Sequence, residues 1–160
     1  MAYKELKDYL KQLMCKEITE EQFLKTLQEM RALTYEDRMK LRIIDRLPFT
    51  VWAANEQYIV KYWAGKCSEY YGWSKNEAEG KLNYLTFIDK EETAQAKTDH
   101  EAVFADPTHD CINPANDHPR NAQSLLPLLT ISGQIEDTDT QEQLIAEMAV
   151  SIKLDEMENG

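Results

Sequence analysis

The segment Tyr70-Tyr71-Gly72-Trp73-Ser74-Lys75-Asn76-Glu77-Ala78-Glu79-Gly80-Lys81 constrains the fold of this chain more than any other. Two glycines bracket a serine that has a glutamate three residues behind it. Gly72 and Gly80 interrupt any long helix, so residues 67–89 are expected to form short helical turns and loops. Glu77 stands where a side-chain acceptor meets the free backbone N–H groups of a helix start. Two strand-like runs come before this segment. Phe49 to Ala54 is apolar, and in Tyr58 to Trp63 the residues Val60 and Tyr62 flank Lys61. The turn residues Asn55-Glu56-Gln57 join them into a hairpin.

Behind the segment, Lys90 to Ala105 holds neither glycine nor proline and suits a helix, which Asp106-Pro107 ends. Residues 106–124 carry three prolines among Asp, Asn and His, and read as a long loop or a degraded strand. Leu125 to Glu136 is strand-like, with Leu129, Ile131 and Ile135 on one side. Asp137 to Gln141 is a turn. Then Leu144, Ala146, Met148, Val150, Ile152 and Leu154 alternate with Ile145, Glu147, Ala149, Ser151 and Lys153, the pattern of a half-buried strand. Hairpin strands with helices grouped on one face predict an antiparallel α+β layer fold.

Residues 1–46 differ in texture. Leu6, Tyr9, Leu10, Leu13 and Met14 share one helical face. Thr19-Glu20-Glu21-Gln22 is a capping box that opens a second helix, with Phe23, Leu24, Leu27 and Met30 on one face. Thr34 with Asp37 predicts a third helix to about Asp45, stopped by Pro48. Such amphipathic pieces must pack on each other, on the following domain or on a second copy. Leu13 to Phe23 resembles the short helical hairpin SHOCT, an oligomerisation element, with Glu17 where that hairpin has a turn glycine.

The charge supports a boundary. Residues 1–46 carry a net +1 and residues 47–160 a net −12 within a total of −11. So acidic a part repels phosphates, which argues against nucleic acid as partner. Cys15, Cys67 and Cys111 are scattered and odd in number, which fits a reducing cytoplasm rather than a disulfide framework. No apolar run has the length of a membrane span, so membrane insertion is not expected. The expected layout is a helical extension over 1–46, a main domain over 47–154 and a tail over 155–160.

From Ile43 to Lys153 the chain resembles the PAS family of sensor and dimerisation modules. The Tyr71-Gly72-Trp73-Ser74, Glu77 and Gly80-Lys81 pattern is similar to that family's central signature. Leu47-Pro48-Phe49-Thr50-Val51-Trp52 resembles its first strand, Val60-Lys61-Tyr62-Trp63 its second, and Leu85-Thr86-Phe87-Ile88-Asp89 the approach to its long helix. Ala64 stands where the family often has asparagine, and Ser151-Ile152-Lys153 replaces its Asp-Ile-Thr exit. The resemblance implies a five-stranded antiparallel sheet with helices on one face and a cavity between the layers. It makes Trp52, Val60, Tyr62, Tyr71, Phe87, His100, Phe104, Leu129, Ile131 and Met148 the candidate pocket residues. The aromatic residues among them either line that cavity or fill it.

Cofactor readings are few. His100 on the long helix is the haem-ligand candidate, since a neutral imidazole suits ferrous iron. Photoreactive flavin is rejected, because Cys67 precedes the second short helix and lacks the Asn-Cys-Arg-like setting; it reads as a core residue. His109, Asp110, Cys111, Asp117 and His118 share one segment, but their spacing matches no zinc motif. No phosphate loop, Ser-x-x-Lys or His-Glu-x-x-His is present, so no catalytic motif is visible. The expected function is a signalling sensor that binds a small ligand or partner, forms a homodimer and acts on a downstream signalling protein through flanking helices. The alternatives are an NTF2-like small isomerase or dehydratase, with His100 and Asp99 or Asp110 as base, and a ligand-free PAS dimerisation module.

Overall fold

The computed structural model describes residues 2–152. The tail 155–160 and the strand end at Lys153 and Leu154 lie outside the described residues. The chain divides into two units, Met1–Ile43 and Ile44–Gly160.

The first unit is helical, built on α1 (Ala2–Met14) and α2 (Glu20–Arg46). Lys16 takes the left-handed turn between them at φ 58°, the conformation a glycine would adopt most easily. Its neighbour Glu17 donates its N–H back to Gln12 O at 2.9 Å. The capping box at α2 is formed: Thr19 Oγ1 accepts the Gln22 N–H at 3.2 Å, and Gln22 Oε1 accepts the Thr19 N–H at 2.9 Å. The third helix expected from Thr34 does not exist as a separate element. α2 runs through Thr34 without a break, because no glycine or proline lies between Glu20 and Arg46. Leu24, Tyr35, Met39, Leu41 and Ile43 remain exposed along it.

The second unit is an antiparallel sheet of five strands in the order β2-β1-β5-β4-β3. The strands are β1 (Phe49–Ala54), β2 (Val60–Gly65), β3 (Cys111–Asp117), β4 (Leu126–Glu136) and β5 (Gln143–Ser151). Between β2 and β3 lie α3 (Cys67–Tyr71), α4 (Lys75–Ala78), a 3-10 turn (Tyr84–Phe87) and α5 (Thr93–Ala105). Asn55 organises the first hairpin turn, its Oδ1 accepting the N–H groups of Gln57 and Ile59 at 3.0 Å each. At the end of β2, Gly65 has φ 62°, and a Cβ there would strike the Phe49 carbonyl oxygen.

The signature segment folds as its residues dictate. Gly72 ends α3 at φ 83°. Ser74 caps α4: its Oγ accepts the Glu77 N–H at 3.2 Å, and Glu77 Oε2 accepts the Ser74 N–H at 2.9 Å. Arg120 Nη1 donates to the other Glu77 oxygen at 3.1 Å. These bonds hold the Glu77 carboxyl below its ordinary range, the Ser74 backbone first and Arg120 next. Ser74→Ala is expected to lower unfolding free energy by about 1 kcal/mol, read from the urea midpoint at unchanged m-value.

The structure corrects two further expectations. Residues 111–117, expected as loop or degraded strand, form the regular edge strand β3. Pro114 is tolerated there because an edge strand has one side free of ladder bonds. The second correction concerns which way β4 and β5 face. Leu128, Thr130 and Ser132 point inward and are buried, while Leu129 (39% exposed) and Ile131 (49% exposed) point outward. On β5, Ile145, Glu147 and Ala149 form the inward row, register-paired with Ala54, Trp52 and Thr50 of β1. Apolar residues occupy both parities of these strands, and the inward row carries unusual polar residues. The more apolar row is therefore the outer one.

Candidate functional site

The interior between sheet and helices is built on Phe87. Its ring stacks on Tyr71 at 4.3 Å and meets Trp52 and Trp63 at 5.8 Å each, Trp73 at 6.3 Å and Tyr84 at 6.4 Å. Trp52 also packs on Tyr84 at 4.6 Å. Offset and edge contacts of this kind suit the charge distribution of aromatic rings. Trp63 Nε1 donates to Trp73 O at 3.0 Å and to Ser68 Oγ at 3.2 Å. Trp52 Nε1 is buried with no acceptor.

Two acids face this aromatic layer. Asp117, at the end of β3, is 1% exposed. Its Oδ2 accepts the Tyr71 hydroxyl at 2.6 Å, and its Oδ1 has no partner. Burial pushes the Asp117 carboxyl up to about 7, with the Glu92 charge adding to the rise and the Tyr71 bond opposing it. Glu147 sits opposite Trp52 in the centre of the sheet. Burial, and then the charge of Asp117, hold its carboxyl well above the ordinary range. Burial raises the Tyr71 and Tyr84 phenols, with the charges of Asp117 and Glu147 adding to the rise at Tyr71 and that of Glu147 at Tyr84. Burial pushes the Cys67 thiol up to about 12, and its Sγ donates to Val51 O at 3.4 Å. Cys67 is a protonated core residue.

The ten sequence-derived pocket residues divide. Trp52, Val60, Tyr71 and Phe87 meet in the interior core. His100 and Phe104 adjoin one another on α5 at 4.7 Å, with Tyr58 stacked on the imidazole at 4.2 Å. Tyr62, Leu129, Ile131 and Met148 are not brought into this group. All four are exposed on the outward face of the sheet, where Met148 pairs with Ile131 and Tyr62 with Ala53.

His100 fits neither role expected of it. Its Nδ1 lies 2.8 Å from the Tyr84 hydroxyl and its Nε2 3.2 Å from Glu56 O. Both nitrogens are engaged, which leaves no lone pair for iron. Burial also holds its pKa below the ordinary value. Beside it lies an open surface depression of about 430 Å³, lined by Glu56, Tyr58, His100, Glu101, Phe104 and Ala105. The residues present do not fit a haem. A general base paired with Asp99 is not assembled either, since Asp99 accepts from Gln95 and Asn113. Among the described residues no group of three or more His, Cys, Asp and Glu is placed to hold a metal. Cys111 and Asp117 lie at opposite ends of β3.

Sequence reasoning missed Glu147 as an interior residue. The signal was present: an acid between Ile145 and Ala149 in a strict period-two strand. Such an acid ordinarily marks the solvent row, and here it marks the buried one.

No protein-family model matches the sequence, and no curated protein is similar to it. Solved structures are similar in fold. The PAS domain of an HTR-like protein from Haloarcula marismortui superposes with a TM-score of 0.63 at 10% identity, covering 79% of this chain and 99% of that one. A PAS domain from Colwellia psychrerythraea gives 0.60 at 11% identity, covering 72% and 95%. The PAS domain of the Cronobacter turicensis quorum-sensing receptor RpfR, in complex with BDSF, gives 0.53 at 14% identity, covering 68% and 97%. The strand order, the helices on one face and these superpositions define the class: the chain has the PAS fold, preceded by helices. No described helix is long and apolar enough to cross a membrane.

Proposed function

We propose that this chain is a sensory module that takes a small ligand between its sheet and helices and passes the change, through its flanking helices, to a downstream signalling protein. The observation that carries this reading is the polar interior. Trp52 Nε1 and Asp117 Oδ1 are buried without partners. Each such atom costs about 1–3 kcal/mol in a closed core. A bound molecule that meets these groups recovers that cost and couples ligand to fold. The Drosophila Cycle PAS-B domain, similar in fold at 12% identity and a TM-score of 0.54, is described with bound ethylene glycol. Native mass spectrometry of freshly purified protein tests the reading. A retained adduct, or a retained small-molecule mass after extraction, supports it. An unliganded protein whose Trp52 indole resonance does not move with any added small molecule removes it.

The outward sheet face favours self-association as a companion property. Tyr62, Ile112, Leu129, Ile131 and Met148 are exposed there. We read this face and the exposed apolar residues of α2 as the surfaces of a homodimer. Ile131→Lys is expected to shift the protein from dimer to monomer by light scattering while leaving its circular dichroism unchanged. A variant that stays dimeric removes the sheet face from the interface.

A further inference from the structure

The turn of the first hairpin is tied to α5 on the surface of the second unit. His100 Nε2 donates to Glu56 O at 3.2 Å. The imidazole lies between two rings, Tyr58 at 4.2 Å and Phe104 at 4.7 Å. These residues, with Glu101 and Ala105, line the open depression of about 430 Å³. Tyr58 and Phe104 are half-buried there, and Glu56 and Glu101 are exposed. An adjoining depression of about 260 Å³ shares Glu56 and adds Glu142.

The charge on these walls has one sign. Neither depression is lined by lysine or arginine. Glu56, Glu101 and Glu142 join no ion pair among the described residues. Burial holds His100 below its ordinary value, so the imidazole brings no positive charge near neutral pH. Glu101, Phe104 and Ala105 belong to the last turn of α5, and no basic residue stands in that turn. The C-terminal end of a helix carries partial negative charge that favours a cation. Residues 47–160 add a net −12, which steers cationic partners toward the domain.

We propose that this depression is a docking site for a basic segment of a partner protein, with one arginine side chain laid over Tyr58 and Phe104 and its guanidinium turned to Glu56 and Glu101. The site is separate from the interior one. Aromatic faces attract cations, and a guanidinium lies flat on a ring while its N–H groups donate to carboxylates. The openness of the depression decides between a free molecule and a side chain. A small ligand needs walls around most of its surface. An arginine side chain arrives with a partner whose surrounding contacts exclude water from the rim. The second depression, joined at Glu56, receives a further basic residue of the same segment at Glu142.

The test uses the full chain, 15N-labelled, and three probes: the peptide acetyl-GGRGRGG-amide, the same peptide with citrulline in place of both arginines, and n-propylguanidinium chloride. Citrulline keeps the shape of arginine and lacks its charge. Binding is followed by the backbone amide resonances of Tyr58, Glu101 and Ala105 and by the Trp52 indole resonance. The arginine peptide is expected to move the three amides to saturation and to leave the Trp52 indole in place. Its affinity falls with added salt. The citrulline peptide is expected to bind about tenfold more weakly, and Glu101→Gln to weaken the arginine peptide about fivefold. Tyr58→Gly is the second variant. Tyr58 stands at φ 67°, which glycine adopts freely, so the hairpin is expected to persist by circular dichroism while binding is lost.

Citrulline binding as tight as arginine binding overturns the proposal, because the charge is then not read. Free n-propylguanidinium binding as tightly as the peptide makes this a small-cation site and overturns docking. Amide movement that never saturates, or that is the same in both variants, is diffuse attraction to an acidic surface and overturns it too. If the probes move only the Trp52 indole, the interior ligand reading stands and the docking site falls. If no resonance moves, the docking site falls by itself.

Discussion

Phe87→Ala lowers the unfolding free energy by about 3–5 kcal/mol, enough to unfold much of the population of a marginally stable domain. The magnitude follows from position. Phe87 is fully buried and touches five aromatic rings, supplied by β1, β2, α3, the 3-10 turn and the segment that joins α3 to α4. Removing the ring leaves a cavity that these stiff neighbours cannot close, so the lost contacts add to the lost burial. Phe87→Leu keeps most of the volume and is expected to cost about 1–2 kcal/mol. Urea denaturation followed by tryptophan fluorescence gives both numbers. An alanine variant within 1 kcal/mol of the parent would mean that the aromatic layer is loosely packed, and the interior would then be a cavity in its own right.

The sequence carried the frame of this molecule and concealed its lining. β1 was legible because Phe49–Ala54 is apolar and bounded by Pro48 and Asn55. α5 was legible from a stretch without glycine or proline, and Glu77 as an acceptor at a helix start, while the reciprocal cap by Ser74 came only with the structure. The overall order of elements followed from these local signals, and the PAS fold from the resemblance of the segment Tyr71-Gly72-Trp73-Ser74 to Gly80-Lys81 to that family's signature. Three features resisted for distinct reasons. α2 passes through Thr34 because a threonine that can cap a helix is also tolerated within one. β3 was masked by Pro114, whose meaning depends on whether a strand lies at the edge, and edge position is a tertiary fact. The facing of β4 and β5 was inverted because period two identifies two rows without saying which is buried. The usual tie-breaker, polarity, points the wrong way when Thr50, Thr130, Ser132 and Glu147 face inward. That inversion placed Leu129, Ile131 and Met148 among the pocket residues and hid Glu147, and the same ambiguity on β2 placed Tyr62 there.

Asp117→Asn is expected to stabilise the protein at pH 8, by on the order of 3 kcal/mol, and to leave stability at pH 4 nearly unchanged. The sign follows from proton binding. In the unfolded chain an aspartate releases its proton near pH 4. In the folded protein burial raises the Asp117 carboxyl to about 7. Between these values the folded state holds more protons than the unfolded one, so stability falls as pH rises. The contribution is fully present below the unfolded value and is lost as pH climbs through about 7. Glu147 is displaced in the same direction and adds to the slope. This runs opposite to the usual salt-bridged carboxylate, which loses stability in acid. Asparagine cannot ionise, keeps an oxygen for the Tyr71 hydroxyl and removes the Asp117 part of the slope. Tyr71→Phe acts the other way. The Tyr71 bond favours the charged carboxylate, so its loss raises the Asp117 carboxyl further and extends the fall in stability to higher pH. Urea midpoints for the parent and both variants from pH 4 to pH 9 measure the three slopes. A parent whose stability rises through this window would mean that Asp117 and Glu147 are charged in the folded state, and would overturn the prediction.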